Sequence, residues 1–115
     1  MIQPWEDLNK AFESLVELGE SFRAMSKLIE DIQTSRYKDG LFAWKSMHCL
    51  CIVQTPVIKH PHYGPYLQIS PVTNGQLEFR YVDTNITEKQ WCRVVDGNGG
   101  FARLELLLEQ LHWFL

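Results

Sequence analysis

A row of apolar residues with alternating steps of three and four runs through the first third of the chain. Its members are Leu8, Ala11, Leu15, Leu18, Phe22, Met25, Ile29 and Ile32. This spacing places all eight side chains on one face of an α-helix, so residues 4–32 are predicted to be helical. Pro4 suits the first helical position, and Glu6 and Asp7 complement the positive end of the helix dipole.

An unbroken helix of this length does not fit a domain of this size. About 29 residues at about 1.5 Å each would extend over ~44 Å. A compact chain of 115 residues has a radius of gyration of only about 13 Å. The helix must therefore overhang, bend, or consist of two helices. Gly19 is the expected kink, because glycine costs about 1 kcal/mol relative to alanine inside a helix.

Two packing partners are compatible with the apolar row. A coiled coil requires charged residues beside its seam, but here the charged side chains lie on the far side of the helix. The flanking positions hold Phe12, Ser14, Gly19, Ser21, Ser26 and Leu28. A stripe this wide is typical of a helix that packs on a sheet. We favour the sheet, with self-pairing of the long helix in a homodimer as the alternative.

The middle of the chain predicts strands. Residues 41–54 are interpreted as one strand, whose second half is apolar on both faces and therefore typical of a central position. A second strand reaches Pro71, which cannot donate to a ladder and so indicates a sheet edge.

Asn74 and Gly75 predict a hairpin whose register can be deduced from its faces. A two-residue loop would mix apolar and charged side chains on one face. A three-residue loop with Gly75 in the left-handed region separates them. It pairs Leu67 with Tyr81, Ile69 with Phe79 and Pro71 with Leu77, and on the other face Gln68 with Arg80 and Ser70 with Glu78. We predict the three-residue loop.

The last third of the chain completes the predicted fold. Residues 84–96 are compatible with either a short helix or a short strand, and residues 101–115 form a final amphipathic helix. The order predicts an α+β two-layer sandwich in a single domain, residues 1–115. The N-terminal and C-terminal helices pack on one face of an antiparallel sheet of three to four strands.

The composition excludes several functional classes. Of the 115 residues, 45% are hydrophobic and 22% are charged, and the net charge is −3. A negative charge argues against nucleic acid and anionic membrane surfaces as partners, because both are bound through basic patches. No apolar run approaches the roughly 20 residues needed to cross a bilayer.

The cysteines and the N-terminus indicate the compartment. Three cysteines are an odd number, which cannot form a closed set of internal disulfides. The first residues, Met-Ile-Gln-Pro-Trp-Glu-Asp, lack the basic and apolar regions of a signal peptide. We therefore expect a reduced, cytoplasmic protein.

The segment from Asp96 to Ala102 has the spacing G-x-G-x-x-A between a possible strand and a helix. In dinucleotide-binding units such glycines let the backbone approach a pyrophosphate at a helix start. That motif also requires a further parallel strand and an acidic residue about 20 positions later, which the sequence does not provide. We interpret the segment as a tight turn, with an anion contact at Gly99 and Gly100 as the alternative.

Two further groups carry potential chemistry. Strand alternation places Cys49 and Cys51 on one face and His48 on the other, so these residues cannot converge on one metal. We therefore expect core cysteines, no metal and no cofactor.

The proline-rich loop at residues 55–65 is the densest cluster of functional side chains. Its residues that suit contact with a ligand or partner are Lys59, His60, His62 and Tyr63.

These observations favour a small acidic protein-interaction module of the adaptor, regulator, chaperone or inhibitor/immunity type, without catalytic activity. Aromatic anchors near the chain ends, Trp5, Trp113 and Phe114, fit such a role, although they fit closure of the core equally. The expected partner is another protein, or a second copy that binds through the long helix or an edge strand. The alternative is a small-molecule-binding protein or enzyme that uses the 55–65 loop.

Overall fold

The apolar row of the first third folds as two helices. The structure, a computed structural model, describes residues 2–54, 65–83 and 86–113. Helix α1 spans Trp5–Glu13 and helix α2 spans Glu20–Gln33, with a 3₁₀ turn at Val16–Leu18 between them. Gly19 separates the two helices with a φ of +142°, which side chains with a Cβ rarely adopt. The predicted break at Gly19 is confirmed, and the two-helix alternative is the one that the chain adopts.

The two helices lie side by side, so neither overhangs the domain. The amide of Asn9, in the middle of α1, donates to Gln33 Oε1 at the end of α2 over 2.6 Å. The Cα radius of gyration is 13.2 Å, as expected for a compact domain of this length.

The described strands form one antiparallel sheet in which each strand pairs with its neighbours in sequence order. They are β1 (Phe42–Ser46), β2 (Cys49–Val53), β3 (Tyr66–Pro71), β4 (Gln76–Val82) and β5 (Trp91–Asp96). The segment 84–96 was compatible with a short helix or a short strand. Its described part is a 3₁₀ turn at Thr87–Lys89 followed by strand β5.

The interpretation of residues 41–54 as one strand was wrong. They form the hairpin of β1 and β2, with Ser46 opposite Cys49 and a two-residue loop of Met47 and His48. Met47 has a φ of +56°, a conformation that costs a non-glycine residue about 1–2 kcal/mol. The loop holds none of the residues that usually mark such turns, so no local pattern indicates a turn at Met47 and His48. The extra turn is why the sheet has five strands rather than three to four.

The β3–β4 hairpin has the predicted register. Val72 N–H donates to Gln76 O over 3.0 Å, and Gly75 has a φ of +73°. The predicted pairs, from Leu67 with Tyr81 to Pro71 with Leu77, are all present. The strand is not an edge along its whole length, because β3 lies between β2 and β4, but the predicted edge at Pro71 itself is present, since the β2 ladder ends at Ile69. Pro71 is tolerated since the β2 ladder does not extend to it.

The helices cover one face of the sheet. Helix α3 spans Gly100–Leu111, shorter than predicted, because His112 takes a left-handed conformation and caps it. The predicted α+β class is confirmed, with the three described α-helices packed on the antiparallel sheet. The buried sheet residues on the helix side are Ala43, Leu50, Ile52, Leu67, Ile69, Leu77, Phe79 and Tyr81.

The aromatic residues near the chain ends close this core. Trp5 Nε1 donates to Leu41 O over 3.2 Å, and buried Trp113 lies with its ring centroid 6.3 Å from that of Tyr81. These two tryptophans are therefore structural rather than exposed interface anchors. Phe114 lies outside the described residues.

Candidate functional site

The predicted contact loop cannot define the site. Lys59, His60, His62 and Tyr63 lie outside the described residues, so their contact with a ligand or partner stays a prediction. Three other features could contact a ligand or partner: the described cysteines, the 96–100 turn and the edges of the sheet.

The glycine-rich turn after β5 is explained by packing. A Cβ at Gly97 would lie 2.4 Å from Gly75 O and 2.6 Å from Ala24 Cβ. The Gly97 N–H also donates to Gly75 O over 2.9 Å. Glycine is therefore required at position 97 because three segments meet there: α2, the β3–β4 turn and the turn into α3.

The two glycines proposed as an anion contact begin α3. A Cβ at Gly100 would lie 3.0 Å from Leu77 Cδ1, whereas a Cβ at Gly99 would meet nothing within 4 Å. The neighbouring cleft, of about 580 Å³, lies between α2 and the 74–75 and 96–98 turns. Its charged lining residues are Glu20, Arg23, Lys27, Asp31 and Asp96. Carboxylates outnumber cations there, which does not favour an anion, and contact at Gly99 and Gly100 stays a prediction.

The three cysteines are free thiols on the outer face of the sheet, away from the helices. Burial, and then the nearby Cys49, raises the pKa of Cys51 to about 12. Desolvation and a hydrogen bond to Glu78 raise the pKa of Cys92. Both shifts keep the thiol protonated and weaken it as a nucleophile. In the described part of the chain, no group of three or more His, Cys, Asp or Glu residues could hold a metal ion.

One edge of the sheet is occupied by the chain itself. Gln3 N–H donates to Ala43 O over 2.9 Å, and the Lys45 N–H donates to Gln3 Oε1 over 2.7 Å. The segment before α1 therefore satisfies backbone groups on the outer side of β1. This edge is partly covered, as edges in natural proteins commonly are.

The opposite edge, β5, pairs only with β4 among the described strands. Gln76 lies opposite Asp96, and the next pair is joined by the bond from Gly97 N–H to Gly75 O. Hydrogen-bonded and non-hydrogen-bonded pairs alternate along an antiparallel ladder. The peptide groups of Cys92, Val94 and Asp96 therefore point away from β4, towards solvent.

The side chains of β5 keep this edge accessible. Cys92, Arg93 and Val94 are exposed, with 47% of the Val94 surface accessible. The Trp91 ring stacks on Tyr81 at 5.9 Å between centroids, which fixes the start of the strand. Arg93 lies on the helix side of the edge, opposite Phe79, and a charge in this position limits indiscriminate strand pairing.

Sequence reasoning anticipated an edge strand but placed it at Pro71, in β3. Two facts that identify β5 as the open edge are not local: β1 is covered by Gln3, and β3 has partners on both sides. The local signal was only that residues 91–96 contain neither proline nor glycine, so every peptide in β5 can donate.

Comparison of the chain with known proteins finds no matching family model, curated protein or solved structure. None of the helices in residues 2–54, 65–83 and 86–113 combines the length and apolar character needed to cross a bilayer.

Gly97→Ala is expected to lower the free energy of unfolding by about 1–3 kcal/mol, because the new Cβ overlaps a backbone oxygen. Gly99→Ala is the matched control, with open space around the Cβ, and should change stability by less than about 1 kcal/mol, because the stiffer unfolded chain and the poorer N-cap act in opposite directions. Urea denaturation of the two variants measures the difference. Equal stabilities would contradict the packing explanation for Gly97.

Alkylation with iodoacetamide should distinguish the exposed thiol of Cys92 from the buried thiol of Cys51. Exposed Cys92 is expected to react in the native protein, and Cys51 only after unfolding, because it is buried and its pKa is raised to about 12. Peptide mass spectrometry with and without denaturant identifies the labelled sites. Rapid labelling of Cys51 in the native state would show that β2 opens or that its thiol is accessible.

Proposed function

We propose that this protein is a small cytoplasmic protein-interaction module, of the adaptor, regulator, chaperone or inhibitor/immunity type, without catalytic activity of its own. Its binding element is the open edge of β5, which accepts an extended segment of another polypeptide. The observation that carries the proposal is the outward orientation of the Val94 peptide at the edge left without a described partner.

Strand addition suits the chemistry of this edge. Cys92, Val94 and Asp96 each offer one outward N–H and one outward C=O, the groups through which an added strand gains affinity. Side chains then supply specificity. A carboxylate opposite Arg93 would pair with its charge, whereas a cation there would be repelled. We therefore expect an extended partner segment with an acidic residue facing Arg93.

The free thiols support a reducing compartment. The three cysteines are unpaired and lie at intermediate, buried and exposed positions. A chain with an exposed thiol in an edge strand is better suited to the cytoplasm than to an oxidising space.

A second copy is the alternative occupant of the same edge, and it would produce a homodimer. A homodimer through the first third of the chain stays a prediction from the sequence, and it would have to use α1 and α2 rather than one long helix. Small-molecule binding or catalysis by the 55–65 loop depends on residues outside the described part of the chain, and it stays a prediction from the sequence.

Val94→Pro should remove binding at the edge while keeping the fold. The proline replaces an N–H that points to solvent, so the ladder with β4 loses no bond, and edge strands tolerate proline in this orientation. Immobilised wild-type protein and this variant are exposed to native lysate. Partners retained by the wild type and lost by Val94→Pro are identified by mass spectrometry.

Two control variants separate the edge from the fold. Val94→Thr keeps the outward N–H and should retain every partner. Val95→Pro removes an N–H that faces β4 and should cost about 1–3 kcal/mol of stability, measured by urea denaturation. Partners that bind Val94→Pro as well as the wild type, or failure to capture any partner, would reject the edge as the binding element.

A further inference from the structure

A second surface, distinct from β5, lies where the β1–β2 turn approaches the start of α2. Leu18 is 60% exposed and Met47 is 83% exposed. Phe22, which lines one cleft with Leu18, meets the ring of His48, the chain neighbour of Met47, in an edge-to-face arrangement at 5.3 Å between centroids. We call these four residues the apolar end. Two large apolar side chains this exposed, beside an aromatic pair, are typical of an interaction surface.

The backbone at Met47 supports this interpretation. Met47 is a non-glycine residue with a φ of +56°, a conformation that glycine adopts at lower cost. Its side chain is almost fully exposed, so core packing does not compensate for the strain. The two-residue turn requires a positive φ at this position, so the feature that points to the surface is the presence of methionine where glycine would fit at lower cost. Methionine is also the flexible apolar residue that binding surfaces use to fit varied partners.

The apolar end borders a concave surface beside two glutamates. A cleft of about 600 Å³ lies between the Leu18–Phe22 segment and residues 71–75. The Ser21 hydroxyl donates to Val72 O and ties the two walls together. Glu20 lines this cleft, and Glu17 adjoins Leu18. Neither glutamate forms an ion pair with any described residue.

The cations at this end do not neutralise those carboxylates. The Lys45 ammonium donates to Met47 O and lies 5.8 Å from the centroid of the Phe12 ring. Arg23 lines the neighbouring cleft, to which Glu20 also contributes, but the two side chains form no ion pair. The surface beside Leu18 therefore combines apolar side chains with two glutamates that form no ion pair within the described part of the chain.

We propose that the apolar end binds a basic amphipathic helical segment of a partner protein. Leu18, Phe22 and Met47 would contact its apolar face, and Glu17 and Glu20 would face its lysine or arginine residues. The two carboxylates disfavour the other common target of apolar surfaces, an anionic membrane. The surface does not include β5, so this binding is independent of strand addition.

The test uses a fluorescein-labelled peptide of leucine and lysine, about 14 residues or about four helical turns long, patterned to be amphipathic. Fluorescence anisotropy should show saturable binding to the wild-type protein that weakens with added salt. A leucine–glutamate peptide of the same pattern and a serine–lysine peptide serve as controls. Both should bind at least about tenfold more weakly, because each lacks one of the two required features.

Variants locate the binding. Leu18→Ser and Met47→Gly should each lower the affinity of the protein for the leucine–lysine peptide by about tenfold or more. Leu106→Ser should not, although Leu106 is 49% exposed on α3. Met47→Gly should also raise the thermal midpoint of unfolding because it relieves the left-handed methionine. A gain in stability together with a loss of binding would distinguish a binding role from a structural one.

Several results would overturn the proposal. These are no binding of the leucine–lysine peptide, equal binding of the leucine–glutamate peptide, or unchanged binding by Leu18→Ser and Met47→Gly. Binding of phosphatidylserine vesicles that is lost in the same variants would assign the surface to a membrane instead. Because Val94→Pro should bind the leucine–lysine peptide as the wild type does, failure of this proposal is distinguishable from failure of the β5 edge.

Discussion

The close approach of Gly97 to Gly75 and Ala24 holds the two layers of the structure in register. The bond from Gly97 N–H to Gly75 O continues the β4–β5 ladder, and contact with Ala24 brings α2 against both turns. Any side chain at position 97 would separate these segments. Because ladder bonds alternate, the same bond determines which peptides of β5 face solvent. The geometry of the open edge therefore depends on a glycine outside the strand.

The elements predicted correctly were those that follow from the spacing of residues along one segment and from the size of the domain. The break at Gly19 followed from helix length and domain size, and the β3–β4 register followed from the separation of apolar and polar faces. The β1–β2 turn was missed because its loop contains Met47 rather than glycine or asparagine. A uniformly apolar segment fits one long strand as well as two paired strands.

The sequence predicts the kind of candidate site, an edge strand, but not its location. An edge strand was expected, but its location depends on contacts distant in sequence, such as Gln3 with Ala43. The exposure of Leu18 and Met47 depends on how α1, α2 and the first hairpin pack together. Periodicity had placed Leu18 on the buried face of a continuous helix, and the break at Gly19 is what leaves it exposed.

The bond between Gln3 and β1 also bears on how many neighbours the sheet can accept. A sheet with two open edges can join copies at both ends and grow into a fibre without limit. Here the bridge from Gln3 occupies part of the β1 edge, so an added strand would find fewer free backbone groups there than at β5. Addition at both edges, which growth of a fibre requires, is thereby disfavoured.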